Sequence, residues 1–123
     1  MKSPNTLILY VADTARAAEF FHVLFEAPVV DQSANFAMLA LSSGTMLGLW
    51  ARHDVKPIPA AGASGFEVCV SLESDAATDA ALAQALALGI PVVQEAVRLD
   101  FGYTFVLQAP DGQLIRVFSA PAA

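Results

Sequence analysis

Gly44-Thr45-Met46-Leu47-Gly48-Leu49-Trp50 can be laid on Gly112-Gln113-Leu114-Ile115-Arg116-Val117-Phe118. The runs before them follow at the same offset, Phe36-Ala37-Met38-Leu39-Ala40-Leu41 falling on Thr104-Phe105-Val106-Leu107-Gln108-Ala109. A repeat spanning about half the chain indicates a duplicated βαβββ module and not a solenoid of short units. Two such modules facing each other would form a cleft, whose lining residues then set the chemistry.

Working outward, Thr6–Ala12 is apolar and β-prone and reads as a strand. Asp13-Thr14 offers an N-cap to a helix from Arg16 to Phe25, with Ala17, Phe20, Phe21 and Leu24 at helical spacing and Pro28 ending it. Val29–Asp31, Phe36–Leu41 and Met46–Trp50 are the next expected strands. His53–Ser64, with Pro57, Pro59 and Gly62, is linker-like and marks the module boundary. The second module repeats the plan. Phe66–Leu72 is a strand, Asp75–Leu88 a helix, and Gly89 its C-cap. Strands follow at Val92–Val97, Tyr103–Leu107 and Leu114–Phe118, with Pro110-Asp111-Gly112 as the last tight turn. The expected architecture is α+β: one domain over 1–123, two tandem βαβββ modules (about 1–55 and 65–123, linker about 53–64) forming a cleft-bearing curved sheet. The second helix is nearly all Ala and Leu, so part of its outer face is expected to be covered.

Composition narrows the partners. Hydrophobic residues are 56% of the 123, enough for a sizeable core. No apolar run reaches the length a membrane span needs. The opening residues read as a strand start and lack a signal-peptide cleavage site. The single cysteine, Cys69, excludes an intrachain disulfide and fits a reducing cytoplasm. A net charge of −6, with only 6 Lys+Arg, leaves no basic stripe for phosphate backbones. Neither nucleic acid nor an anionic membrane is expected as a partner.

Four pieces carry a family signature. They are Val11-Ala12-Asp13-Thr14 leading into Ala18-Glu19-Phe20-Phe21; Gly44 to Trp50; Phe101-Gly102-Tyr103-Thr104-Phe105; and Pro110-Asp111-Gly112-Gln113-Leu114-Ile115. In this order and spacing the chain resembles the vicinal-oxygen-chelate superfamily of glyoxalases, extradiol dioxygenases, fosfomycin-resistance enzymes and bleomycin-binding proteins. One departure is Ala109, where members usually have Asp before Pro-Asp-Gly. In the family's enzymes, metal ligands come from the first and last strands of each module. The resemblance carries those positions to Thr6, Gly48, Arg116 and either Phe66 or Glu67. Strand alternation chooses Glu67, since Val68, Val70 and Leu72 form the apolar face, matching Leu7, Leu9 and Val11. The open face is then Thr6, Ile8 and Tyr10 in one module, and Glu67, Cys69 and Ser71 in the other. A divalent ion wants several N, O or S ligands. Thr, Gly, Glu and a permanently charged Arg do not supply them, so no metal and no other cofactor is expected. If the positions converge, Glu67 and Arg116 meet. The pair then either hydrogen-bonds a ligand or closes the gap as a structural salt bridge.

The same parity puts Met46, Gly48 and Trp50 on the cleft side of one last strand, and Leu114, Arg116 and Phe118 on the other. Phe36, Met38 and Tyr10 join them. This predicts an aromatic wall, with Gly48 leaving a gap the width of a flat ring beside Trp50. His53 reads as a rim residue or an exposed loop histidine. Phe101 and Tyr103 read as lid aromatics or as hairpin closure. His22 is given no role, and Cys69 is expected to be inert.

Three functions fit. The first is a metal-free protein that sequesters a flat aromatic compound, an antibiotic by resemblance to the bleomycin- and phenazine-resistance branch. Arg116 within Gly112-Gln113-Leu114-Ile115-Arg116-Val117, and the Lys-free Leu47-Gly48-Leu49-Trp50, carry that resemblance. The alternative is a glyoxalase-like lyase or isomerase, or a dioxygenase-type enzyme, with a non-standard site. The third is a dimeric scaffold or sensor without a small ligand. The family resemblance also implies a homodimer.

Overall fold

The computed structural model describes residues 1, 3–58 and 67–121. Backbone contacts divide the chain into two units, Met1–Ala63 and Ser64–Ala123.

The first unit runs β1 (Thr6–Val11), α1 (Thr14–Phe25), β2 (Val29–Gln32), β3 (Phe36–Ala40) and β4 (Met46–Ala51). Its strands form one mixed four-stranded sheet in the order β1-β4-β3-β2. The β1 strand lies parallel to β4, and the other pairs are antiparallel. The Asp13 side chain caps α1 by accepting from the Arg16 N–H at 3.1 Å, a contact worth about 1 kcal/mol. The helix stops where Glu26 turns left-handed at φ 50°. There His22 Nδ1 lies 2.7 Å from the Ala27 carbonyl oxygen, a tie that ring periodicity did not reveal. Ala17, Ala18 and Phe21 are buried on the side that packs over β3 and β4.

The second unit repeats this with β5 (Val68–Leu72), α2 (Asp75–Ala87), β6 (Val92–Leu99), β7 (Gly102–Gln108) and β8 (Leu114–Ser119). Its sheet order is β5-β8-β7-β6, again with the first and last strands parallel. Ser74 caps α2 through the Ala77 N–H at 3.0 Å. At the other end Gly89, one residue past the cap Leu88, takes φ 73°, which favours glycine. Its N–H bonds the Leu86 carbonyl, and the Ile90 N–H bonds that of Ala85, the Schellman pattern. Phe66 and residues 59–64 of the expected linker lie outside the described residues, so the strand expected from Phe66 is described from Val68.

Alternation decides which residues form each core. Leu9 and Val11 on β1, Ala37 and Leu39 on β3, and Leu47, Leu49 and Ala51 on β4 are buried on the helix side of the first sheet. Phe105, Leu107, Ile115, Val117 and Ser119 do the same in the second. Each fully buried Leu or Phe contributes about 1.5–3 kcal/mol of transfer free energy. The opposite face of each sheet has no described helix of its own unit over it, and most of the candidate residues lie there. No described helix is long and apolar enough to cross a membrane.

Candidate functional site

The ladders of the first sheet place its open face in rows. Tyr10 pairs with Trp50, and Trp50 with Phe36. Ile8, Gly48 and Met38 form the next row, and Thr6, Met46 and Ala40 the third. The Tyr10 and Trp50 rings meet edge to face, 6.5 Å apart at 79°. On β1, β4 and β3 this face carries no charged side chain. Asp31, paired with Met38, is the charged residue on the flanking strand β2. Tyr10 is 40% and Ile8 39% exposed, so an apolar aromatic surface is left open to solvent within this unit.

The expected gap above Gly48 is not there. A Cβ built on Gly48 would sit 2.5 Å from Ile8 Cδ1 and 2.9 Å from Phe36 Cζ. The side chains of the neighbouring strands have closed over the glycine. Its lack of a side chain serves their packing, and the platform is the row Tyr10–Trp50–Phe36. His53 lies on a 3₁₀ turn (Arg52–Asp54) just after β4, largely exposed, with Nε2 3.6 Å from Asp54.

The open face of the second sheet is polar. Cys69, Arg116, Val106 and Gln94 form one row across β5, β8, β7 and β6, and Ser71, Phe118 and Thr104 the next. Glu67 precedes β5 on the same parity and reaches Arg116 as a fork. Arg116 Nε donates to Glu67 Oε1 at 2.9 Å, and Nη2 to Oε2 at 3.0 Å. Nη1 donates to Thr104 Oγ1 at 3.2 Å and to Gln94 Oε1 at 3.3 Å. The Thr104 hydroxyl in turn donates a hydrogen bond to the Val117 carbonyl oxygen at 2.9 Å. Phe101 lies over the guanidinium, 5.4 Å from its Cζ, and meets Phe118 edge to face at 5.6 Å. The hydrogen bonds from Arg116 hold the Glu67 carboxyl below its ordinary range, against the opposing effect of burial. Burial, and then the Glu67 charge, push the Cys69 thiol up, so this exposed cysteine stays protonated at neutral pH.

Tyr103 is the second correction. It pairs with Ser119 and Arg98, on the helix side of the sheet and opposite to Thr104. Its hydroxyl donates to Asp79 of α2 at 2.6 Å, which raises its pKa. Arg98 lies over its ring at 5.3 Å and donates to Asp75 at 2.6 Å, and Ser119 donates to the other Asp75 oxygen at 2.7 Å. Tyr103 therefore clamps α2 to the sheet and is no lid. The repeat already carried the signal, since it sets Phe36 against Thr104 and so gives Tyr103 the other parity. The same signal puts Thr104 on the face of Arg116, whereas Gln94, its further partner, had no sequence signal. Irregular pairing of β6 with β7 hides the register of Gln94.

The positions where the resemblance places a metal do not fit one. Both Glu67 oxygens are engaged by Arg116, and Gly48 has no donor. Thr6 turns its hydroxyl onto Asn5 Oδ1 at 3.0 Å. Among the described residues no three His, Cys, Asp or Glu side chains converge.

Tandem βαβββ units, each with one helix-covered and one open sheet face, define the glyoxalase-like class of α+β proteins. The chain belongs to the Glyoxalase/Bleomycin resistance protein/Dioxygenase superfamily, whose family profile matches residues 3–117. It is similar to the phenazine antibiotic resistance protein EhpR of Enterobacter agglomerans, 25% identical over 117 residues, 94% of this chain and 90% of that one. A protein of Agrobacterium tumefaciens, solved in solution by NMR, superposes with a TM-score of 0.89 at 33% identity, covering 99% of this chain and 100% of the other. A possible glyoxalase from Bacillus cereus gives 0.75 at 25% identity, covering 96% and 99%.

Proposed function

We propose that this protein binds and sequesters a flat aromatic compound without a metal, an antibiotic being the class that its similarity to EhpR suggests. The observation that carries the reading is the row Tyr10–Trp50–Phe36, a contiguous aromatic surface without a charged residue on its three strands. Such surfaces hold planar ligands by stacking and area burial. Sequestration requires affinity and no turnover, so a site without metal ligands is no handicap. The alternative, a lyase or dioxygenase with a non-standard site, needs a donor set that Thr6, Gly48, Glu67 and Arg116 do not provide. A homodimer in the cytoplasm belongs to the same reading. The exposed Leu86 and Leu88 of the second helix and its end support the dimer, and sedimentation as a monomer at micromolar concentration would overturn it.

Trp50 is the single tryptophan, so its emission reports ligand directly. A panel of aromatic antibiotics, phenazines first, should contain a compound that quenches it saturably and raises the melting temperature. A panel in which nothing does either would overturn the proposal.

A further inference from the structure

We infer that the open face of the first unit prefers a planar aromatic cation to a neutral or anionic compound of the same ring system. This rests on the aromatic-binding reading above and adds the charge of the ligand. The residues concerned all belong to the first unit.

The face of an aromatic ring carries negative electrostatic potential, and indole attracts a cation most strongly. Three such rings lie side by side here, Tyr10 on β1, Trp50 on β4 and Phe36 on β3. The planes of Tyr10 and Trp50 differ by 79°, so the pair turns π-faces in two directions. The remaining positions of this face on the three strands are uncharged.

Asp31 supplies the charge. It lies directly across from Met38 and so shares the open face, diagonal to Phe36. Diagonal neighbours on a sheet stand roughly 7–8 Å apart, a span that one three-ring ligand covers. Glu67, Asp75 and Asp79 are each engaged by another side chain. The exposed Asp31 side chain makes no hydrogen bond or ion pair among the described residues.

A ring cation suits this surface. Its charge is spread over the plane and weakly hydrated, as in guanidinium, so laying it on apolar rings costs little desolvation. An anion has the opposite fit, since the ring faces and Asp31 both repel it. Arg52 and Lys56, the next cations in the sequence, lie beyond the end of β4. The net charge of −6 acts in the same direction at longer range.

The test is calorimetric titration of the full chain at pH 8 with 9-methylacridine, neutral at that pH, and N-methylacridinium, which has the same rings and one methyl group. The cation should bind at least about tenfold more tightly, through cation–π attraction and the Asp31 charge together. Acridine-9-carboxylate should bind more weakly than either. In Asp31→Asn the ratio of cation to neutral compound should fall below about threefold. Glu19→Gln removes the same charge from the exposed side of α1, on the other face of the sheet, and should keep the parental ratio. A neutral or anionic probe that binds the parent as tightly as the cation overturns the inference and leaves aromatic binding standing. So does a folded Asp31→Asn variant with the parental ratio, or a Glu19→Gln variant that loses it equally. Binding of none of the probes overturns this inference, and the panel of aromatic antibiotics then decides the broader reading separately. If Asp31→Asn does not fold, the parental ratio alone decides.

Discussion

Arg116 and Glu67, 49 positions apart in the chain, meet as two parallel hydrogen bonds of 2.9 and 3.0 Å. The guanidinium also serves Gln94 and Thr104, so one side chain ties β8 to β6, β7 and the residue before β5. Arg116→Met should cost about 1–3 kcal/mol, since it leaves partly buried acceptors without their donor. Glu67→Gln combined with Arg116→Met should lose less than the two separate losses together, because each single change leaves the other partner uncompensated. Urea unfolding of the four proteins measures this, and strict additivity would show that the pair is inert.

Acid should reveal the same pair. The Glu67 pKa is lowered in the folded protein, by the hydrogen bonds of Arg116 first. A lowered carboxylate contributes stability that is complete above its unfolded value of about 4.3, and that is lost as pH falls through the native value. The stability gap between the parent and Glu67→Gln should thus be flat from about pH 8 to about pH 5, and narrow below about pH 4.3. Asp75 is lowered too, by Arg98 and Ser119, but it is common to both proteins and cancels in the difference. A gap that widens on acidification would contradict the assigned direction.

Trp50→Ala should weaken an aromatic ligand by about 2–3 kcal/mol, roughly a hundredfold in dissociation constant. The loss combines buried area with stacking on the indole. Because this variant has no tryptophan, calorimetry must read it. Parental affinity in a folded Trp50→Ala protein would place the ring elsewhere.

Gly102→Ala tests how Phe101 is held over Arg116. Gly102 has φ 149°, and a Cβ there would collide with the Ser119 carbonyl oxygen, which is backbone and cannot swing away. The substitution should cost about 2 kcal/mol or more. Thermal unfolding checks it, and a loss within about 0.5 kcal/mol, the range of a neutral surface change, would show that the hairpin adapts.

The sequence by itself determined the tandem α+β plan, both helices, the Asp13 cap of the first and the glycine after the second, and the parity of the first and last strands of each module. These are local or periodic properties: an apolar alternation of two, a helical spacing, an Asp before a helix, a glycine after one. Strand limits moved by one or two residues, as fraying ends do. The meeting of Glu67 with Arg116 was legible through the family resemblance, which carries the converging ligand positions onto these two residues, with strand alternation choosing Glu67 over Phe66. Only the tertiary structure decided what fills the space around those positions. Gly48 promised a gap, yet Ile8 and Phe36 close over it, since the reach of a neighbouring side chain is not written in the glycine. Tyr103 read as a lid or as hairpin closure; the repeat carried its parity, but only the structure supplied its partner, Asp79 of α2. Gln94 reached Arg116 through an irregular strand pairing that no spacing rule encodes. Backbone periodicity assigns a side chain to a face, but its partners there depend on packing across strands that are distant in sequence.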